Sequence, residues 1–266
     1  MKNVILIKFG GSLITDKNKP FTAKPEILNQ LAKEFKQIKM DFPEIDFILG
    51  HGSGSFGHNV AKKYQTRSGI NSSDDWKGFV EVWAAARLLN TIVLEAFLKN
   101  NINCISFPPS SIFKSSDGHA VHAYLEPLIA ALNAGITPIL YGDVIFDDFR
   151  GGTILSTEDI FFYLTKHFNV KQILLSGIEP AIYSDFPNNN NPIQKITVEN
   201  FSSLEQKIGQ SASPDVTGGM IEKVRLMMDL IKTHPHLKIN IFSASEPGNI
   251  KKILGNEAVG TTLLRE

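Results

Sequence analysis

Apolar and β-branched residues cluster in short runs at Val4 to Phe9, Asp46 to Leu49, Ile102 to Phe107, Ile136 to Tyr141, Gln172 to Leu175 and Lys238 to Phe242. Each run has the length and composition of a buried strand. Between them, apolar residues return every three or four positions, which predicts helices over Pro25 to Met40, Asp74 to Leu98, Tyr124 to Asn133, Glu158 to Phe168 and Gly219 to Lys232. The last carries Met220, Val224, Met227, Met228 and Ile231 along one face. Parallel strands need crossover connections and helices are the usual crossover, so the alternation predicts an α/β fold: a three-layer α/β/α sandwich with a mostly parallel central sheet. No fixed-period repeat or long linker interrupts it. Residues 1–266 are therefore expected to form a single domain with two lobes, 1–168 and 169–266, on one continuous sheet. The segment SDFPNNNNPIQK, 184 to 195, has little apolar surface to offset the entropy of ordering it and is expected to be an exposed loop.

Composition narrows the function. The 27 basic residues are matched by 27 acidic ones, which argues against a partner recruited by bulk charge, so no nucleic acid is expected. No apolar run approaches the roughly 18 residues that span a bilayer, and the start MKNVILIKFGG lacks a full signal-peptide core, so no membrane association and a cytoplasmic location are expected. Cys104 is the single cysteine, which excludes an intrachain disulfide and a cysteine-rich zinc site; it is expected to pack as a small apolar residue.

Three glycine-rich segments carry the candidate chemistry. In Lys8-Phe9-Gly10-Gly11-Ser12 a strand runs straight into paired glycines, with Thr15, Asp16 and Lys17 beyond. Glycines let backbone N–H groups approach an anion and the lysines add charge, although no GxxxxGK[ST] phosphate loop occurs; a tight turn with two solvated lysines is the competing reading. In Gly50-His51-Gly52-Ser53-Gly54-Ser55-Phe56-Gly57-His58 a strand end opens a helix, where backbone amides and the helix dipole favour an anion. His58, directly behind this loop, is placed to add a charge-assisted hydrogen bond, whereas His51 reads as an orienting or packing residue. Asp215-Val216-Thr217-Gly218-Gly219-Met220 opens the last long helix, with Lys223 one turn inside it, and an ordinary capped helix start competes with a phosphate site there. Tyr141-Gly142-Asp143 and Ser156-Thr157-Glu158-Asp159 follow strand-like stretches and read as either site or cap. Ligands of open α/β sheets collect at the carboxyl ends of the strands, so two phosphate loops there suggest a nucleotide donor facing a phosphorylated acceptor.

These residues resemble the amino-acid kinase superfamily, and within it the isopentenyl phosphate kinases. The resemblance runs through nearly the whole chain in KFGGSLITDK, HGSGSFGH with AKKY behind it, YGDV, STED and DVTGGMIEK. His58 is its most specific element, because relatives that phosphorylate carboxylates or carbamate lack that histidine. The resemblance implies an amino-acid kinase fold, ATP-dependent phosphorylation of isopentenyl phosphate to the diphosphate, Mg2+ and a homodimer. It implies that Lys8, Gly10, Gly11, Ser12, Gly54, Gly218 and Lys223 contact ATP and that Lys17 stabilises the transferring group. Gly52, Ser53, Gly54, His58 and Thr157 would hold the acceptor phosphate, Phe79, Val82, Val144 and Ile154 its apolar tail, and Glu158 would orient the lysines. No side chain is assigned as a metal ligand.

Two departures stand out. Where relatives show a TDVDG-like string, this chain reads Gly177-Ile178-Glu179-Pro180-Ala181-Ile182-Tyr183; where they show SGDD, it has Ser156-Thr157-Glu158-Asp159, so Glu158 must do an aspartate's work with one more methylene. Two alternatives stay open: a kinase of another phosphorylated or phosphonate acceptor, resembling fosfomycin kinase, and a non-catalytic nucleotide or metabolite sensor.

Overall fold

The computed structural model describes residues 2–208 and 219–266. The strands are β1 (Val4–Phe9), β2 (Asp46–His51), β3 (Cys104–Ser106), β4 (Phe113–Ser116), β5 (His119–Ala123), β6 (Thr137–Tyr141), β7 (Asp143–Asp147), β8 (Gly151–Leu155), β9 (Val170–Gly177), β10 (Ile182–Tyr183), β11 (Pro192–Ile193), β12 (Lys195–Thr197), β13 (Lys238–Ser243) and β14 (Thr261–Leu264). The helices are α1 (Gly11–Ile14), α2 (Pro25–Asp41), α3 (Gly54–Tyr64), α4 (Ser73–Lys99), α5 (Pro109–Ile112), α6 (Glu126–Asn133), α7 (Thr157–Thr165), α8 (Phe201–Glu205), α9 (Gly219–Thr233) and α10 (Asn249–Leu254).

Among the described residues the central sheet runs β12-β14-β13-β9-β1-β2-β6-β3. From β13 to β3 every neighbouring pair is parallel, while β14 runs antiparallel to β13. Successive side chains on a strand point to opposite faces, and the two cores follow that parity. Val4 and Leu6 of β1 join Ile173 and Leu175 of β9 beneath α6, α7 and α9; Ile5, Ile7 and Phe9 join Leu174 beneath α2, α4 and α10. Both faces are covered, which is the expected three-layer sandwich. Residues on either side of position 169 contribute to this one sheet.

A second sheet, β5-β4-β7-β8, stands beside the first and was not predicted. Asp147 organises it: its carboxylate accepts from the backbone N–H groups of Asp117 and Gly118 in one turn and of Phe149 and Arg150 in the other. Burial pushes that carboxyl up, yet these N–H donors, with the Ser115 hydroxyl, hold it down at about 2. The expected exposed loop at 184 to 195 is only partly one. Pro192 and Ile193 pair with Tyr183 and Ile182, because Asp185 accepts from the backbone N–H groups of Asn190 and Asn191 and folds the chain back. Strand β3 is shorter than predicted, and Cys104 sits half-buried against the core, its thiol pushed up to about 11 by burial.

Candidate active site

At the carboxyl edge of the sheet, Phe9 is level with His51 on one side and Ser176 on the other, and His51 with Tyr141. A cavity of about 390 Å³ opens there, where ligands of such sheets collect.

By strand parity Lys8 belongs to the face beneath α7 and α9, and it is buried at the last position before the glycines. Its Nζ donates to Glu158 Oε1 at 2.5 Å, and Lys223 Nζ lies 3.6 Å from the same oxygen. Glu158 stands at the start of α7, where a negative charge suits the helix dipole, while Lys223 comes from the first turns of α9. Burial drives the Glu158 carboxyl up, and the two ammonium groups overcome that and hold it at about 2. The longer glutamate thus reaches both lysines. Its neighbours form the cap: Ser156 accepts from Asp159 N, and Asp159 accepts from Ser156 N in return. Site and cap, left as alternatives by sequence, divide between adjacent residues.

The first two glycine segments meet directly. A Cβ on Gly11 would lie 2.4 Å from Gly54 N, and one on Gly52 would lie 2.9 Å from Gly11 N. Gly54 also has φ +48, a left-handed conformation that glycine adopts without strain. Thr15 ties the loops together, its hydroxyl donating to Gly11 O at 2.7 Å and accepting from Ser55 N at 3.0 Å. Sequence reasoning noted Thr15 without giving it this role, since only the tertiary contact reveals it.

Gly10, Gly11, Ser12, Lys17, Gly52, Ser53, Gly54 and His58 all line the cavity with Lys8, Thr157, Glu158 and Lys223. His58 was expected just behind its loop; α3 in fact starts at Gly54, so His58 sits one turn inside the helix. One turn further, Ala61 packs with Phe79, Val82, Val144 and Ile154 in a separate apolar cluster. Val82 and Ile154 face the cavity, whereas Phe79 and Val144 stand behind them. Thr157 donates its hydroxyl to His51 O at 2.7 Å, which fixes the second loop against α7. His51 itself is buried, with Nδ1 3.1 Å from Gly52 O, Nε2 3.2 Å from Asn90 Oδ1 and its ring stacked on Tyr141. Burial pushes its imidazole down to about 4, as suits an orienting residue. Asp143 is turned away from the cavity, accepting from Ser110 N and Val144 N, and burial pushes its carboxyl up to about 6.

Gly218, with Asp215 and Thr217, lies outside the described residues. The cavity is also lined by Ile178, Glu179, Ile182 and Tyr183, from the string where the sequence departs from the family pattern, and by Phe186 and Asn189. Sequence reasoning assigned no site residue there. Its signal was the departing string itself.

A buried lysine and a partly exposed one on a single carboxylate, facing two touching glycine loops, are an arrangement for handling phosphoryl groups. Residues 3–242 match the Amino acid kinase family, and the chain belongs to it; it is a phosphotransferase. The particular relatives are isopentenyl phosphate kinases. That of Methanocaldococcus jannaschii is 32% identical over 267 residues, covering 97% of this chain and 97% of the relative. That of Methanothermobacter thermautotrophicus is 27% identical over 271 residues, covering 98% of each. A crystal structure of isopentenyl phosphate kinase has TM-score 0.80 at 24% identity, covering 98% of this chain and 100% of that one. A Bacillus anthracis UMP kinase, TM-score 0.65 at 15% identity over 100% of this chain and 97% of that one, shares the fold.

Among the described residues no helix is long and apolar enough to cross a membrane, and no three ligating side chains are grouped to hold a metal ion. Glu158 is already engaged by two lysines, Lys8 and Lys223. An ion accompanying the nucleotide would be carried chiefly by its phosphates.

Proposed function

We propose that the protein transfers the γ-phosphoryl group of ATP to isopentenyl phosphate, giving isopentenyl diphosphate and ADP. The observation that carries this reading is the change of character along one turn of α3. His58 lies beside the glycine loops, and Ala61 begins an apolar wall with Val82 and Ile154. A ligand lying along that turn has an anionic head and a short hydrocarbon tail.

An oxygen of the acceptor phosphate attacks the γ-phosphorus, and the bond to the β–γ bridging oxygen breaks. Two unit negative charges 4 Å apart repel by about 4 kcal/mol at an effective dielectric near 20, so cations must stand between them. Lys8 and Lys17 supply positive charge to the transferring group, and Lys223 holds nucleotide phosphates with Gly10, Gly11 and Ser12. Glu158 fixes Lys8 and Lys223 while remaining ionised. Magnesium, bound with the nucleotide, supplies further charge neutralisation. Ser53, Gly54 and Thr157 offer backbone N–H groups to the acceptor phosphate, Gly52, whose own N–H goes to Phe9 O, lets it approach closely, and His58 donates a charge-assisted hydrogen bond that aligns it. The acceptor oxygen is already ionised, so no general base is required. Phe79 and Val144, behind Val82 and Ile154, give the tail wall its depth. The proposal includes one functional domain over residues 1–266, a cytoplasmic setting and a homodimer.

ADP release, measured over isopentenyl phosphate, dimethylallyl phosphate and fosfomycin, tests the reading. Isopentenyl phosphate should have the highest kcat/KM; a preference for the polar phosphonate would favour the fosfomycin kinase-like alternative, and ATP binding without ADP release the sensor. His58→Ala should lower kcat/KM about 100-fold through loss of a charged hydrogen bond in the transition state. Near-wild-type turnover in both His58→Ala and His58→Gln would remove His58 from the mechanism.

A further inference from the structure

The cavity contains a polar pair in apolar surroundings. Asn189 Nδ2 donates to Glu179 Oε2 at 3.5 Å, and both residues line the cavity with Ile182, Tyr183, Phe186 and Ile208. Which amide atom faces the carboxylate is fixed by chemistry, since Oδ1 there would place two acceptors together. Beside the one N–H left on Asn189 Nδ2, the remaining capacity of the pair is acceptor capacity: the Glu179 oxygens, and Asn189 Oδ1, which is enclosed and has no partner among the described residues. Open acceptors in a partly dehydrated place call for a ligand that brings N–H or O–H donors.

Location restricts what that ligand is. A carboxylate would repel phosphate, so Glu179 must meet the part of the nucleotide remote from its charge. The apolar side chains around it suit the faces of a flat ring and leave the hydroxyls of a sugar poorly solvated. We infer that Glu179, oriented by Asn189, accepts a hydrogen bond from the exocyclic amine of the donor's purine base and so selects an amino-purine nucleotide. This inference rests on the ATP-dependent reading above and adds the residues that recognise the base. Glu179 falls in the string that departs from the family pattern, and Asn189 is brought to it by the β10–β11 hairpin. The chain has thus built a recognition edge from two segments that are separate in sequence.

Equilibrium binding of ATP, purine riboside triphosphate and 2′-deoxy-ATP to the whole protein, without acceptor, tests this. Purine riboside triphosphate keeps the ring and loses the amine. The wild type should bind ATP at least about tenfold more tightly than purine riboside triphosphate, the scale of a lost hydrogen bond to a charged group. Glu179→Leu and Asn189→Leu should bring that ratio within about threefold. Glu179→Gln, which preserves volume, should lower the ratio part of the way and serves if a leucine variant unfolds. A wild type without preference, or variants that keep it, would overturn the inference. So would variants that lose discrimination between ATP and 2′-deoxy-ATP instead, which would assign Glu179 to the ribose. Binding is read without acceptor, so selective ATP binding without turnover of isopentenyl phosphate would defeat the functional proposal and leave this one standing.

Discussion

At the floor of the cavity Gly11 and Gly54 touch backbone to backbone, Thr15 bridges their loops, and a buried carboxylate holds two lysines. At the rim, Glu179 meets Asn189, carried in the loop of a short hairpin, at 3.5 Å. The floor is built from main chain and buried charge, which tolerate almost no change in geometry; the rim is built from side chains, which can be altered one at a time. Damage to the floor should therefore appear in turnover and stability, and damage to the rim in nucleotide affinity.

The strongest way to break this distinction is Lys8→Met. It should lower kcat by about 10²–10³-fold, the scale of removing one preorganised group that stabilises transition-state charge. It should also destabilise the fold, because Glu158 is left buried with Lys223 alone at 3.6 Å. Adding Glu158→Gln should restore stability without restoring turnover, as read by denaturant unfolding and ADP release. Stability that fails to recover in the double variant would mean that the ion pair is not what strains the single one.

His51 gives the next effect, in stability alone. Its folded value of about 4 lies below the ordinary 6.5, so the unfolded chain takes up the proton first as pH falls. The stability from keeping His51 neutral is fully present above pH 6.5 and is lost as pH drops toward 4. Over that window it amounts to up to about 3 kcal/mol. In His51→Gln, unfolding midpoints between pH 7 and pH 4 should have a shallower slope; an unchanged slope would remove His51 as its source.

Gly11→Ala follows. Its added Cβ meets Gly54 N at 2.4 Å, so the two loops must separate. A displacement of this kind should cost about 100-fold in kcat/KM through misalignment of the reacting groups, with circular dichroism unchanged. At the rim, Phe186→Ala should raise the nucleotide KM only about threefold, since a partly exposed side chain contributes limited apolar contact. A fall in kcat there would blur the contrast between floor and rim.

Much of the floor was legible in the sequence because strand-to-glycine junctions are local signals. Lys8, Gly11, Gly54, Glu158 and Lys223 lie on elements whose periodicity or punctuation is plain. The β4–β5 hairpin was missed because its outer strand alternates weakly and stays exposed, although Asp117-Gly118 marks the turn and both residues have positive φ. β14 is four residues long and pairs antiparallel to β13, so no crossover helix announces it. Thr15, Glu179 and Asn189 escaped assignment for a common reason: each gains its role from a partner elsewhere in the chain, and no spacing rule encodes such a meeting.

The ion pair at the floor has a further consequence for synthesis. Lys8 and Glu158 are 150 positions apart, and Lys223 comes later still. Closing so long a loop is entropically uphill until the intervening sheet has formed. During translation the amino-terminal half can reach neither charge partner, so an emerging chain stays without the full ion-pair cluster until the ninth helix has left the ribosome. A polypeptide stopped short of that point should be unable to hold the nucleotide at all.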